Sequence, residues 1–221
     1  MASIDLVIFD MAGTTVEDGG QVPAAFTAAL AEQGVSVTPA EMNAVRGASK
    51  RQAVLELTPP GADRAERAAS TYAAFKQHLA QSFAGSARAI PGTAETFAWL
   101  RERSIKVALN TGFDRDITDL LLAALGWNKQ VIDAVVCGDD VPQGRPAPYL
   151  IFRCLERTGA TSVHGVAALG DTMLDLQAGH HAGVAWNIGV LSGAHSREQL
   201  QAQPHTHLIP SVADLPALFP A

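Results

Sequence analysis

Cysteine is nearly missing from this chain: Cys137 and Cys154 are the only two, each in apolar surroundings. Two such residues build no disulfide framework. No stretch approaches the roughly 18 consecutive apolar residues of a membrane-spanning helix. The first residues hold no basic segment followed by an apolar run, so no secretory signal is expected and the cytoplasm is the default compartment. A cationic excess is also lacking. Sixteen Lys and Arg stand against 22 Asp and Glu, a net charge of −6 with a pI near 5.6. Nothing neutralises phosphates over a broad face, which argues against nucleic-acid binding. A small anionic substrate held by a few local cations and a metal stays possible. Aromatic residues are few, and Trp99, Trp127 and Trp186 are expected in packing rather than as stacking platforms. No histidine has zinc-site spacing. His180, His181, His195, His205 and His207 are expected on the surface or in loops.

What is present suits a globular fold. The chain has 221 residues, 48% of them hydrophobic and 17% charged, enough for one large domain or one domain with an insertion. The organising stretch is IDLVIFDMAGTTV, residues 4–16. Leu6 to Phe9 is an unbroken apolar run, as in a strand buried on both faces. It stops at Asp10, followed by the small residues Ala12, Gly13, Thr14 and Thr15. A carboxylate at the C-terminal end of a buried parallel strand lies where open α/β sheets bind ligands, and glycine lets the backbone approach closely. Taken alone, Asp10 could equally cap a turn.

Residues 17–88 then read as helices without a convincing strand. A polar loop at 17–21 precedes a helix over 22–33, with Val22, Phe26, Ala29 and Leu30 on one face and Gly34 as its stop. Thr38-Pro39-Ala40-Glu41 is a capping box with proline at the first helical position. Arg46 to Lys50 interrupts that helix, and another runs to Leu57. Residues 63–83 form a long helix whose apolar stripe is assigned to Ala65, Ala69, Tyr72, Phe75 and Leu79. From there strands and helices alternate. Strands are expected at 105–109, 131–137, 166–169 and 184–190, with helices at 93–103, 117–125, 148–157 and 172–182, and a short strand or loop in the tail at 206–216. Such alternation predicts a parallel sheet covered on both faces.

Four further stretches carry candidate chemistry. Asn110-Thr111-Gly112-Phe113 follows a strand and precedes a helix, which suits an oxyanion cradle or an ordinary cap. Arg145, in the loop Gly144-Arg145-Pro146-Ala147-Pro148, can grip an anion in a fork or lie solvated. Gly170-Asp171-Thr172-Met173-Leu174-Asp175 places two carboxylates on one side of a helix start. Carboxylates with waters suit Mg²⁺; helix capping alone is the plainer reading. Lys50 follows Arg46-Gly47-Ala48-Ser49 at a helix junction. It reads as a surface charge, as a phosphate- or sugar-binding cation, or as a desolvated lysine able to attack a carbonyl.

In this order the motifs resemble the four signatures of the haloacid dehalogenase (HAD) superfamily, over essentially the whole chain. The resemblance implies a Rossmannoid core at 1–16 and 89–221, with an inserted all-helical cap at 17–88. It also implies that Asp10 is the nucleophile. Mg²⁺ would be held by Asp10, the Ala12 carbonyl and Asp171, supported by Asp175, and phosphate would be bound by Gly13, Thr111, Gly112 and Arg145. HAD phosphatases carry a second Asp, an acid/base, where this chain has Ala12. Ala12, Arg145 and a lysine at position 50 look like the phosphonatase variant, phosphonoacetaldehyde hydrolases and their relatives, in which that lysine forms a Schiff base. The chain departs from those enzymes at Gly20, Arg46, Ala53 and Phe113, where they have Cys, Met, His and Tyr.

The expected function is Mg²⁺-dependent hydrolysis of a small organophosphorus compound through an aspartyl-phosphate, with P–C cleavage aided by Lys50. The alternatives are a phosphatase or phosphomutase acting on a small phosphate ester, and a non-catalytic HAD binding domain. Apolar cap helices permit a homodimer.

Overall fold

The computed structural model describes residues 4–219. In chain order the elements are β1 (Leu6–Asp10), α1 (Gln21–Ala31), α2 (Pro39–Ala44), α3 (Lys50–Leu57), α4 (Arg64–Phe83), α5 (Thr93–Glu102), β2 (Lys106–Asn110), α6 (Arg115–Leu125), β3 (Ala134–Val136), α7 (Tyr149–Thr158), β4 (Val166–Gly170), α8 (Met173–Ala182), β5 (Trp186–Val190), α9 (Arg197–Gln201) and β6 (His207–Ile209).

All six strands are parallel, in the order β3-β2-β1-β4-β5-β6. The tail strand closes one edge. Strand periodicity divides β1 between two cores: Val7 and Phe9 join one apolar cluster, Leu6 and Ile8 the other. All five residues of β1 and of β4 are buried. Chain order reverses between β1 and β4, and ligands of open α/β sheets bind at such a switch point. Asp10 ends one of these strands and Asp171 follows the other.

Helices α1 to α4 intervene between β1 and β2, and pack chiefly on one another. Where this segment leaves and rejoins the sheet, its two ends run side by side. The Glu17 amide bonds the Arg88 carbonyl at 2.9 Å, and Ile90 bonds Thr15 at 2.9 Å. α2 opens with the Thr38–Glu41 capping box. In α4 the buried line is Ala68, Thr71, Tyr72, Phe75, Leu79 and Phe83, while Ala65 and Ala69 face solvent. Phe75 stacks on Phe26 of α1 at 4.3 Å. The aromatic residues set the helix phase, because they bury far more area than alanine methyls. β3 and β5 are shorter than expected, since Val131–Asp133 and Val184–Ala185 are turn and connector. No helix among the described residues is long and apolar enough to cross a membrane.

Candidate active site

The C-terminal ends of β1, β2 and β4 meet the α1–α3 segment around one cavity. Its walls include Asp10, Ala12, Lys50, Thr111, Gly112, Arg145 and Asp171. Asp10 ends β1. The chain then turns tightly, with the Thr14, Thr15 and Val16 amides all bonding the Met11 carbonyl. Gly13 sits at φ +93, and a Cβ there would lie 2.4 Å from Asp171 Oδ2. Glycine is therefore required both by the backbone angle and by the carboxylate beside it. The Gly13 amide is committed to the Val16 carbonyl at 2.8 Å. Its place is to make room for Asp171.

Carboxylate oxygens of Asp10, Asp171 and Asp175 lie within 4.8 Å of one another, and all three residues are buried. Thr14 Oγ1 donates to Asp171 Oδ1 at 3.1 Å, and the Ala194 amide donates to Oδ2 at 2.7 Å. Burial, the nearby Asp10 charge and Asp175 push Asp171 up to about 8. Burial, relieved in part by Arg145, raises Asp10 to about 6. Three buried carboxylates with one guanidinium among them leave negative charge uncompensated. An all-oxygen donor set of this kind fits a hard divalent cation.

Arg145 is the hub of the site. It is only 3% exposed, and its Nη2 lies 2.7 Å from Asp10 Oδ1 and its Nε 2.8 Å from Asp175 Oδ1. It also donates to the side chain and carbonyl of Asn110 and, at 3.3 Å, to the Gly47 carbonyl. Burial disfavours its charge, but Asp175 and Asp10 outweigh that and hold the guanidinium firmly protonated. Its donors are thus engaged by protein before any anion arrives. It orients Asp10 and ties that carboxylate to Asp175. Asp175 in turn accepts from the Thr172 amide, closing the α8 capping box. No described hydrogen bond reaches Asp10 Oδ2.

Thr111 is buried and accepts from the Phe113 amide at 3.1 Å. No described partner takes the Gly112 amide, so one hydroxyl and one N–H stand at the end of β2. A Cβ on Gly112 would lie 2.4 Å from the Ala48 carbonyl, so glycine here admits the turn that carries Lys50. The Lys50 amide donates to the Gly112 carbonyl at 3.1 Å. Lys50 Nζ donates to Ala48 O at 3.3 Å and lies 5.3 Å from the Phe113 ring centre. With 8% exposure, Lys50 is no surface charge. Burial lowers its pKa against the opposing pull of Asp10, toward the neutral amine. The side chain at position 12 is a methyl group, so it supplies no proton.

One expectation is met only in part. His195, expected on the surface or in a loop, lies in the loop after β5 but is only 3% exposed, and its Nδ1 accepts from the Met173 amide at 2.9 Å. The loop whose Ala194 amide serves Asp171 carries it there. Asn110, Asp18 and Arg46 also belong to the site, with no role assigned to them from sequence. Asp18 and Arg46 line the cavity, and Asn110 bonds Arg145. Asn110 left a trace as the polar residue closing an apolar strand and Arg46 as a departure from the phosphonatase pattern, whereas Asp18 left none.

The profile of the haloacid dehalogenase-like hydrolases matches residues 4–183. A phosphonoacetaldehyde hydrolase of Hahella chejuensis is 33% identical, over 97% of this chain and 85% of that protein. One from Bacteroides fragilis is 31% identical, over 96% and 84%. A phosphonoacetaldehyde hydrolase-like protein of Oleispira antarctica superposes with a TM-score of 0.83 at 23% identity, covering 98% of this chain and 91% of that one. With Asp10 closing a buried strand, a carboxylate cluster at the sheet's C-terminal edge and a family match over most of its length, the chain belongs to the haloacid dehalogenase-like hydrolases.

Proposed function

We propose that the protein is a Mg²⁺-dependent hydrolase that cleaves the P–C bond of a small phosphonate whose carbonyl lies one carbon from the phosphorus-bearing carbon, as in phosphonoacetaldehyde. One observation carries this reading: buried Lys50 shares a cavity with Asp10, while position 12 has no acid. An alkoxide leaving group calls for general acid catalysis, typically worth 10²–10⁴-fold. A carbon leaving group calls for an electron sink instead, which an iminium on Lys50 provides. The names of the curated relatives point the same way.

In this mechanism neutral Lys50 adds to the carbonyl and expels water, giving an iminium. Asp10, oriented by Arg145, attacks phosphorus with its free oxygen. The P–C bond breaks, and its electron pair passes into an enamine on Lys50. Protonation at carbon and hydrolysis release the aldehyde and free the lysine. A second water hydrolyses the Asp10 acyl phosphate to inorganic phosphate. The Thr111 hydroxyl and the Gly112 amide hold phosphoryl oxygens. Asp10, the Ala12 carbonyl and Asp171 would hold Mg²⁺, which supplies positive charge against the phosphoryl group when bound. The free, buried thiols of Cys137 and Cys154 suit a reducing cytoplasm.

The test is Mg²⁺-dependent phosphate release from phosphonoacetaldehyde, with and without borohydride, for wild type and Lys50→Arg. Turnover lost to borohydride only with substrate present, and absent in Lys50→Arg, is the expected result. A phosphate ester hydrolysed in the presence of borohydride, with no release from the phosphonate, would make Lys50 a binding cation and the protein a phosphatase.

A further inference from the structure

Three cations line the cavity: Arg145, Lys50 and Arg46. Arg145 is consumed by Asp10, Asp175 and Asn110. Lys50 is the amine of the proposed chemistry. Arg46 has no assignment. Its side chain keeps 28% of its exposure, and no hydrogen bond of its guanidinium is recorded among the described residues. The nearest carboxylate, Asp18 Oδ2, is 3.9 Å from Nη1, beyond hydrogen-bonding distance. Asp18 is itself occupied, since its Oδ1 accepts from the Gly20 and Val22 amides at 3.2 Å each and closes the start of α1. The pair is partly buried, at 28% and 12% exposure, and at 3.9 Å it is an ion pair without a hydrogen bond. The cavity it lines also has apolar wall residues in Val22, Phe26, Met42 and Val45. A guanidinium that lines this cavity and has no hydrogen-bond partner among the described residues is a ready receptor for a planar carboxylate.

The assignments already made to the other cavity residues decide what Arg46 would read. The phosphoryl end is set by Asp10, Thr111 and Asp171, and the carbonyl by Lys50. The wall made by α1 and α2 remains for whatever the carbonyl carbon carries. In phosphonoacetaldehyde that is a hydrogen atom, which needs no cation.

Resting on the reading above, we propose that Arg46 is a specificity-determining residue that binds a carboxylate on the substrate's carbonyl carbon, so that the preferred substrates are 3-phosphono-2-oxo acids. The chemistry balances as before. Lys50 condenses at C2 with loss of water, and the P–C3 bond breaks as phosphorus passes to Asp10, its electron pair entering the enamine. Protonation of C3 and return of water at C2 release the 2-oxo acid. A second water frees phosphate from Asp10.

Binding of stable analogues tests this apart from turnover. 3-Phosphonopropionate and propylphosphonate share a phosphonate and a three-carbon chain, and only the first has a carboxylate. Calorimetric titration in Mg²⁺ is expected to show wild type binding 3-phosphonopropionate about 10- to 100-fold more tightly, the span of one charged hydrogen-bonded contact. Arg46→Met should erase that ratio, and Arg46→Lys should keep part of it. The ratio of kcat/KM for 3-phosphonopyruvate over phosphonoacetaldehyde should fall in Arg46→Met by a similar factor. Equal wild-type affinity for the two analogues would overturn the proposal without any variant having to fold. Borohydride-sensitive cleavage of phosphonoacetaldehyde with no carboxylate preference sinks the Arg46 assignment and leaves the P–C reading standing. A carboxylate preference in binding with no cleavage of either phosphonate does the reverse.

Discussion

The main-chain amide of Lys50 donates to the carbonyl of Gly112 at 3.1 Å, joining the turn that bears the amine to the loop that bears Thr111. The two halves of the site are thus held by backbone, and a Cβ at position 112 would press on the Ala48 carbonyl. Gly112→Ala is expected to lower kcat/KM at least 100-fold while costing about 1–3 kcal/mol of stability, as an overpacked contact does. Steady-state kinetics beside thermal unfolding check this. Equal activity with unchanged stability would show that the turn yields without consequence.

Arg145 stands between two buried carboxylates. Arg145→Met leaves Asp10 and Asp175 without their cation and should destabilise the fold by about 3–5 kcal/mol, the range for breaking one partner of a buried pair. Arg145→Lys keeps the charge but cannot span Asp10, Asp175 and Asn110 together, and should fall between. Urea denaturation gives the order. A Met variant as stable as wild type contradicts the hub role.

The carboxylate cluster predicts a pH dependence with a definite sign. Asp10 and Asp171 are raised from 3.8 to about 6 and about 8, so the native state binds protons that the unfolded chain releases. Their favourable contribution is complete below pH 4 and is lost as pH rises through about 6 and then about 8. In chelator, stability should therefore decline over that window by about 1.4 kcal/mol per pH unit for each proton retained. Mg²⁺ should raise the melting temperature more at pH 8 than at pH 6. Asp171→Asn should flatten the upper part of the decline and abolish the Mg²⁺ effect. A melting temperature independent of both pH and Mg²⁺ argues against the cluster as a cation site.

Lys50 must be neutral to attack a carbonyl, and burial lowers its pKa from the ordinary 10.5. Borohydride trapping of a carbonyl phosphonate on the protein should rise with pH, with a midpoint below that of a solvent lysine. Mass spectrometry of the trapped adduct should place it on Lys50. Labelling spread over the surface lysines would exclude a special amine.

The motifs stood out because each candidate side chain ends or follows a buried strand, where periodicity breaks. Asp10 closes the apolar run of β1, Thr111 follows β2, and Asp171 follows β4. The capping box at Thr38 is legible for the same reason, since both partners lie within one turn; the Thr172–Asp175 box that opens α8 is shown by the structure. The stripe of α4 was misplaced onto Ala65 and Ala69, because sequence spacing shows apolar residues but not which neighbour the helix will meet.

Sequence by itself determined the parallel α/β plan, the run of helices after β1 and the residue types at the strand ends, since these follow from local hydrophobic period and turn chemistry. Tertiary structure decided which charges meet. Arg145 reads as an anion-binding cation in its loop and proves to be a buried bridge between Asp10 and Asp175. His195 reads as a surface or loop residue, and it lies in a loop that buries it against the start of α8. Asp18 and Arg46 lie far apart in the chain and share one cavity wall. Pairing, burial and the pKa values they set depend on through-space distance and local dielectric, and those exist only once the sheet has brought its strand ends together.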